Sequence, residues 1–225
     1  MTEPKKLETD PAWPLHRNPY LWGFVVGCIF ITMVKVMGLT EHVPDEPELL
    51  YSLPAWSMVD QDGDVFGSEQ LEGQVWVAGF FFSRCQSICP PLLADMKKLS
   101  TRYATHDRDV HVVAFTVDPD HDTPAVLRET AERYGAELEH WTFVTSTRAE
   151  MKALVEGGFK VAMGDVVRDE ANMFEVAHTG KLALIDEAGG IRGYYAHDEV
   201  GRDEIYHRAQ HVVREAKKRL KAGPD

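Results

Sequence analysis

At 225 residues and 44% hydrophobic content, the chain is long enough for one domain or two small ones with a real core. A formal charge of −12 and a pI near 5.3 exclude a nucleic-acid binder, which needs a basic footprint. The three cysteines, Cys28, Cys85 and Cys89, exclude a disulfide scaffold and leave one plausible intramolecular pair.

The first predicted element is the apolar run Tyr20 to Leu39, whose one charge, Lys35, lies near its far end. Its length predicts a single transmembrane helix over 20–39. Lys5, Lys6 and Arg17 precede it and Glu41, Asp45, Glu46 and Glu48 follow it. That asymmetry predicts a cytoplasmic segment over 1–19 and an exported C-terminal domain, periplasmic or equivalent. No small-x-small cleavage site follows the run, which argues against a removed signal peptide. Val25-Val-Gly-Cys28 resembles the box before a lipidated cysteine, but the apolar run continues well past Cys28, which reads better as a small residue within a membrane helix.

Residues 40–53 are acidic and proline-bearing and read as a linker, leaving 54–225 as the folded domain. Asp62-Gly63 predicts a hairpin between residues 55–59 and 65–66. Val75 to Phe82 lacks polar alternation, as in a strand buried on both faces, and Leu92, Leu93, Met96 and Leu99 give helical spacing over 91–103. A second buried strand is predicted over 110–117, and Thr123-Pro124 opens a helix that Gly135 ends. A short strand over 140–144, a helix over 147–156, an irregular stretch over 159–176, a hairpin of 181–186 with 191–195 and a charged helix over 202–220 complete the chain. This order predicts an α/β fold whose mixed sheet is flanked by helices.

The chemistry lies in Cys85-Gln-Ser-Ile-Cys89, followed at once by Pro90 and Pro91. Proline is tolerated in a helix's first turn and hardly anywhere deeper, so Cys85 belongs to the turn leaving a strand and Cys89 to the mouth of a helix. Unpaired N–H groups at that helix end favour thiolate. Redox chemistry, soft-metal binding or both follow. Two soft thiolates suit Cu(I), with zinc as competitor, although a closed zinc site usually has four protein ligands. A plain stabilising disulfide would close so short a loop that it would contribute little.

Three segments carry a resemblance: Cys85-Gln-Ser-Ile-Cys89-Pro90, Thr116-Val-Asp118-Pro119-Asp-His-Asp122-Thr-Pro124, and His178 leading into Lys181-Leu-Ala-Leu-Ile-Asp186 and Gly190-Ile-Arg-Gly-Tyr. Together they resemble the Sco/SenC family of thioredoxin-like, membrane-anchored copper proteins that serve cytochrome c oxidase assembly. The resemblance implies a thioredoxin-like fold and copper, Cu(I) and potentially Cu(II), bound by Cys85, Cys89 and His178. It implies as partners the copper-binding subunit of the oxidase, the membrane, a thioredoxin-like reductant and an upstream copper donor. Asp118 becomes a candidate for holding a copper ligand in place from behind or for docking the partner. Family members commonly have proline directly after the first cysteine, where this chain has Gln86, preceded by Arg84, whose charge should favour thiolate at Cys85.

Metallochaperone and enzyme are the two classes left. In the second, Cys85 and Cys89 form the catalytic dithiol of a thiol-disulfide oxidoreductase that reduces the acceptor's cysteines. A peroxidase is disfavoured for want of a peroxidatic context. His207 and His211, at i and i+4 on the last helix, read as a solvated face rather than a metal pair. The scattered His106, His111, His121, His140 and His197 carry less.

Overall fold

The computed structural model describes residues 18–39, 46–105, 110–164, 167–168, 174–175 and 180–222. The chain forms two compact units, Met1–Pro44 and Asp45–Asp225.

In the first unit, helix α1 (Pro19–Leu39) exposes Tyr20, Trp22, Phe24, Ile29 and Phe30. The single-pass anchor expected here is corrected, because no helix among the described residues is long and apolar enough to cross a membrane. The membrane-attached, exported localisation inferred from that anchor goes with it. Cys28 is an exposed free thiol on this helix.

The second unit is built on one mixed sheet. Its strands are β1 (Tyr51–Ser52), β2 (Ser57–Asp60), β3 (Val65–Gly67), β4 (Val75–Phe81), β5 (Val110–Thr116), β6 (Trp141–Thr145), β9 (Lys181–Ile185) and β10 (Gly190–Ala196), in the order β1-β10-β9-β4-β5-β6-β2-β3. A separate pair, β7 (Val167–Arg168) and β8 (Phe174–Glu175), lies between β6 and β9 in the chain. The helices are α2 (Cys89–Thr105), α3 (Pro124–Arg133), α4 (Arg148–Lys152), continued by a π-helical turn over Ala153–Gly158, and α5 (Glu199–Ala222).

β4 runs parallel to β5, and β5 to β6, whereas β9 is antiparallel to β4. Every residue of β4 is buried because helices and loops cover both of its faces. Strand pleating divides those residues. Trp76 and Phe80 point into an aromatic cluster with Trp56, Phe115 and Phe159, whose ring centroids lie 5.0–6.2 Å apart. Gly79 and Phe81 point the other way. A Cβ on Gly79 would sit 2.5 Å from Met96 Sδ, so this glycine is what lets α2 lie close on β4. Phe81 meets Phe143 edge-on at 5.6 Å.

Segment 46–53, read from sequence as linker, is drawn into this unit. Leu50 N–H donates to Ile191 O at 2.8 Å and Leu53 N–H to Gly189 O at 3.0 Å, flanking β1 where it pairs with β10. Arg219 on α5 bonds both Glu46 and Glu187, closing the sheet edge with an exposed ion-pair network.

Candidate functional site

β4 delivers the dithiol. Beyond Phe81 the chain turns, with Cys85 N–H donating to Phe82 O at 3.2 Å, and Cys89 is the first residue of α2. Pro90 and Pro91 occupy the first turn of that helix, where a missing N–H breaks no helical bond. The first N–H of the helix is therefore Cys89's own. It donates to Cys85 Sγ at 3.3 Å. The Ser87 hydroxyl lies 3.8 Å from the same sulfur.

Both cysteines are free thiols and both are buried, with Cys89 at 1% exposure. The Cys89 thiol is pushed far above the ordinary thiol range, first by its side-chain hydrogen bond to Cys85, then by burial, with the charges of Cys85 and Asp122 acting in the same direction. A backbone bond at Phe82 opposes this without overcoming it. The shift at Cys89 runs against the thiolate expected from the helix end. A shared proton in a desolvated pair outweighs partial charges at one helix terminus.

Asp118, two residues past the end of β5, is 2% exposed. It accepts from Arg84 Nε at 3.1 Å and from Arg84 Nη2, and Arg148 Nη2 lies 3.7 Å from its other oxygen. The Arg84 charge, expected from sequence to favour thiolate at Cys85, is engaged by this carboxylate. Asp118 thus stands one residue removed from Cys85, through Arg84.

Asp122 received no role from the sequence. It is fully buried, and it gathers Ser83 N–H (3.0 Å), Ser83 Oγ (2.5 Å) and Thr116 Oγ1 (2.6 Å), with His121 Nδ1 3.1 Å away. Its place within Asp118-Pro-Asp-His-Asp122 was legible; its burial was not. Asp118, His121 and Asp122 bring three ligand-type atoms within 4.8 Å of one another, the one such cluster among the described residues. Both carboxylates there already serve protein donors.

His178 lies outside the described residues. Gly180, two residues on, has φ +54°, and a Cβ there would come within 2.5 Å of Ile88 Cδ1 and 3.4 Å of His197 Cδ2. The strand following His178 therefore begins packed against the dithiol loop. Tyr134, which ends α3, is also near the dithiol: burial raises its phenol pKa first, and the charges of Cys89 and Cys85 add to the rise. His207 pairs with Asp203 at 3.5 Å on α5, consistent with a solvated face. His106 is outside the described residues.

A parallel β-α-β-α-β core with an antiparallel hairpin added at β4, and a buried dithiol where β4 passes into α2, define a thioredoxin-like domain. The SCO1/SenC family model matches residues 46–214, and the chain belongs to that family. It is 28% identical over 185 residues to the SCO1 protein homolog of Bacillus subtilis, spanning 81% of this chain and 92% of that one. A structure of a SCO1/SenC family lipoprotein from Bacillus anthracis superposes with TM-score 0.65 at 29% identity, covering 72% of this chain and 95% of that one. BsSco, described as a member of the Sco family of cytochrome c oxidase assembly proteins with a disulfide switch, superposes with TM-score 0.66 at 28% identity over 76% and 98% of the two chains. Copper-bound yeast Sco1 shares the fold, with TM-score 0.60 at 22% identity over 79% and 95%.

Proposed function

We propose that this protein binds copper through Cys85, Cys89 and His178 and delivers it to the copper-binding subunit of cytochrome c oxidase during assembly. The observation that carries the reading is the pair of buried, reduced sulfurs on one short motif, with the Cys89 amide 3.3 Å from Cys85 Sγ. Two soft donors held this close suit Cu(I), while the harder ligands nearby, Asp118 and Asp122, are committed to arginine and hydroxyl partners. Copper-bound structures within the family and the oxidase-assembly role described for BsSco support the same reading.

Loading such a site releases protons. Cu(I) displaces a proton from each thiol as two Cu–S bonds form, so affinity rises with pH. Burial keeps water from competing for the metal, and an open third position for His178 suits a carrier that must pass its cargo on by ligand exchange.

A second reading has its own support. The Cys89 amide bonded to Cys85 Sγ sets the two thiols side by side, and the disulfide switch described for BsSco supports exchange chemistry in this chain. In it, one cysteine attacks an acceptor disulfide and the other resolves the mixed disulfide, leaving the acceptor reduced and Cys85–Cys89 oxidised.

Copper titration of the reduced protein, followed by X-ray absorption, tests the first reading. One copper with sulfur ligation is expected, lost in Cys85→Ser and in Cys89→Ser. Full retention by the double serine variant would refute the site. His178→Ala separates the readings: it should strip Cu(II), which prefers nitrogen and higher coordination, while the dithiol potential moves little. Normal oxidase maturation with His178→Ala, alongside failure of both serine variants, would leave thiol exchange as the function.

A further inference from the structure

The two cysteines are held by different means. Cys89 belongs to α2, which packs on β4 and β5, so its sulfur is fixed by helix packing. Cys85 lies in an irregular turn, four residues past the last ladder contact between β4 and β5, where Val117 N–H donates to Phe81 O at 2.8 Å. Ser83 stands between that contact and Cys85, and its backbone N–H and its hydroxyl both donate to Asp122. Thr116, at the end of β5, donates to the same carboxylate. Asp122 in turn is fixed by its own N–H to Asp118 O at 2.9 Å, one residue before the Thr123 N-cap of α3.

A fully buried carboxylate is costly unless donors surround it, and an apolar side chain would fill the space at less cost. What the carboxylate supplies is direction: it ties the exit of β4 to the exit of β5 through charge-assisted bonds. We propose that Asp122 is the positioning residue of the dithiol, setting through Ser83 where the Cys85 sulfur stands relative to Cys89. The inference rests on Cys85 and Cys89 being the functional pair, in either of the two roles above.

The test is the equilibrium of the full-length protein with glutathione disulfide. Two thiols lose two protons and two electrons and form one S–S bond, while glutathione disulfide is cleaved to two glutathione thiols. The equilibrium constant reports the effective concentration of one sulfur at the other. Asp122→Ala should lower it by about tenfold, the scale expected when a reacting group loses a fixed position. Asp122→Asn, whose amide oxygen still accepts from Ser83 N–H, should stay within about threefold of the unmutated protein. The stability control is Gly67→Ala on the far edge strand, where a Cβ would lie 2.3 Å from Trp56 O. It should lose stability and leave the equilibrium constant unchanged.

If Asp122→Ala does not fold, Thr116→Val, which removes one hydroxyl donor, carries the test with a shift in the same direction. Equal effects of the Asp122 or Thr116 variant and Gly67→Ala, or no effect of the former, would overturn the proposal. Copper affinity measured in parallel should follow the same order. An unmutated protein that binds no copper would sink the delivery reading, and the glutathione equilibrium would still judge Asp122.

Discussion

His111 makes stability fall with acid, by an amount the structure allows to be worked out. It sits on β5 opposite Trp76, with its Nε2 2.8 Å from Thr142 Oγ1 and its ring 6.0 Å from that of Phe66. Burial, with His140 adding to it, lowers its pKa from 6.5 to about 4. The folded value lies below the unfolded one, so between these limits the unfolded chain takes up a proton that the folded chain refuses. Stability is therefore highest above pH 6.5, declines as the pH falls through the window and stops declining below about 4. The full span amounts to about 3 kcal/mol, of which about 2 kcal/mol is lost between pH 7.5 and pH 5. His111→Leu removes the titration. It also leaves Thr142 without its partner, a loss of about 1 kcal/mol that does not depend on pH. Urea unfolding of both proteins at pH 7.5 and pH 5 isolates the titrating part, since every other group contributes equally to the two. The histidine protein should lose about 2 kcal/mol more than His111→Leu on acidification. Equal losses would refute the assignment of a neutral, half-buried His111.

Gly79→Ala forces a methyl to within 2.5 Å of Met96 Sδ and 3.2 Å of Leu182 Cδ2, and should cost about 1–3 kcal/mol in urea unfolding; unchanged stability would mean that α2 can retreat from β4 freely. Asp186 accepts from Ala188 N–H (3.0 Å), Gly190 N–H (2.7 Å) and Arg192 Nε (2.6 Å) while 3% exposed. Asp186→Ala should therefore cost about 3 kcal/mol by leaving the β9–β10 turn and a guanidinium unsatisfied, read as a fall in the thermal midpoint; a loss no larger than that of an exposed substitution would count against it. Reduced Cys89, held protonated by Cys85 and burial, should alkylate with iodoacetamide near pH 8 far more slowly than a free cysteine; a rate matching that of free cysteine would place its thiol in solvent.

The alternation of strands and helices was legible because burial on both faces leaves unbroken apolar runs, as over Val75 to Phe82, and because Thr123-Pro124 and Gly135 mark helix ends chemically. Cys89 at the mouth of α2 followed from two prolines that few other places in a helix tolerate. The placement of β1 did not. Tyr51 and Ser52 carry no strand pattern of their own and are ordered by β10, a partner some 140 residues away. Nor was the membrane anchor upheld: composition over twenty residues suggested a span, while no helix among the described residues is long and apolar enough to cross a membrane.

By itself the sequence determined the α/β class, the position of the dithiol between strand and helix, and the family, since each depends on residue types at short spacing along the chain. The tertiary structure alone decided the burial of Cys89 beside Cys85, the diversion of Arg84 to Asp118 and the gathering of donors around Asp122. These depend on which groups share a desolvated space, and Ser83 and Asp122 are brought together across 39 residues only by the parallel pairing of β4 with β5.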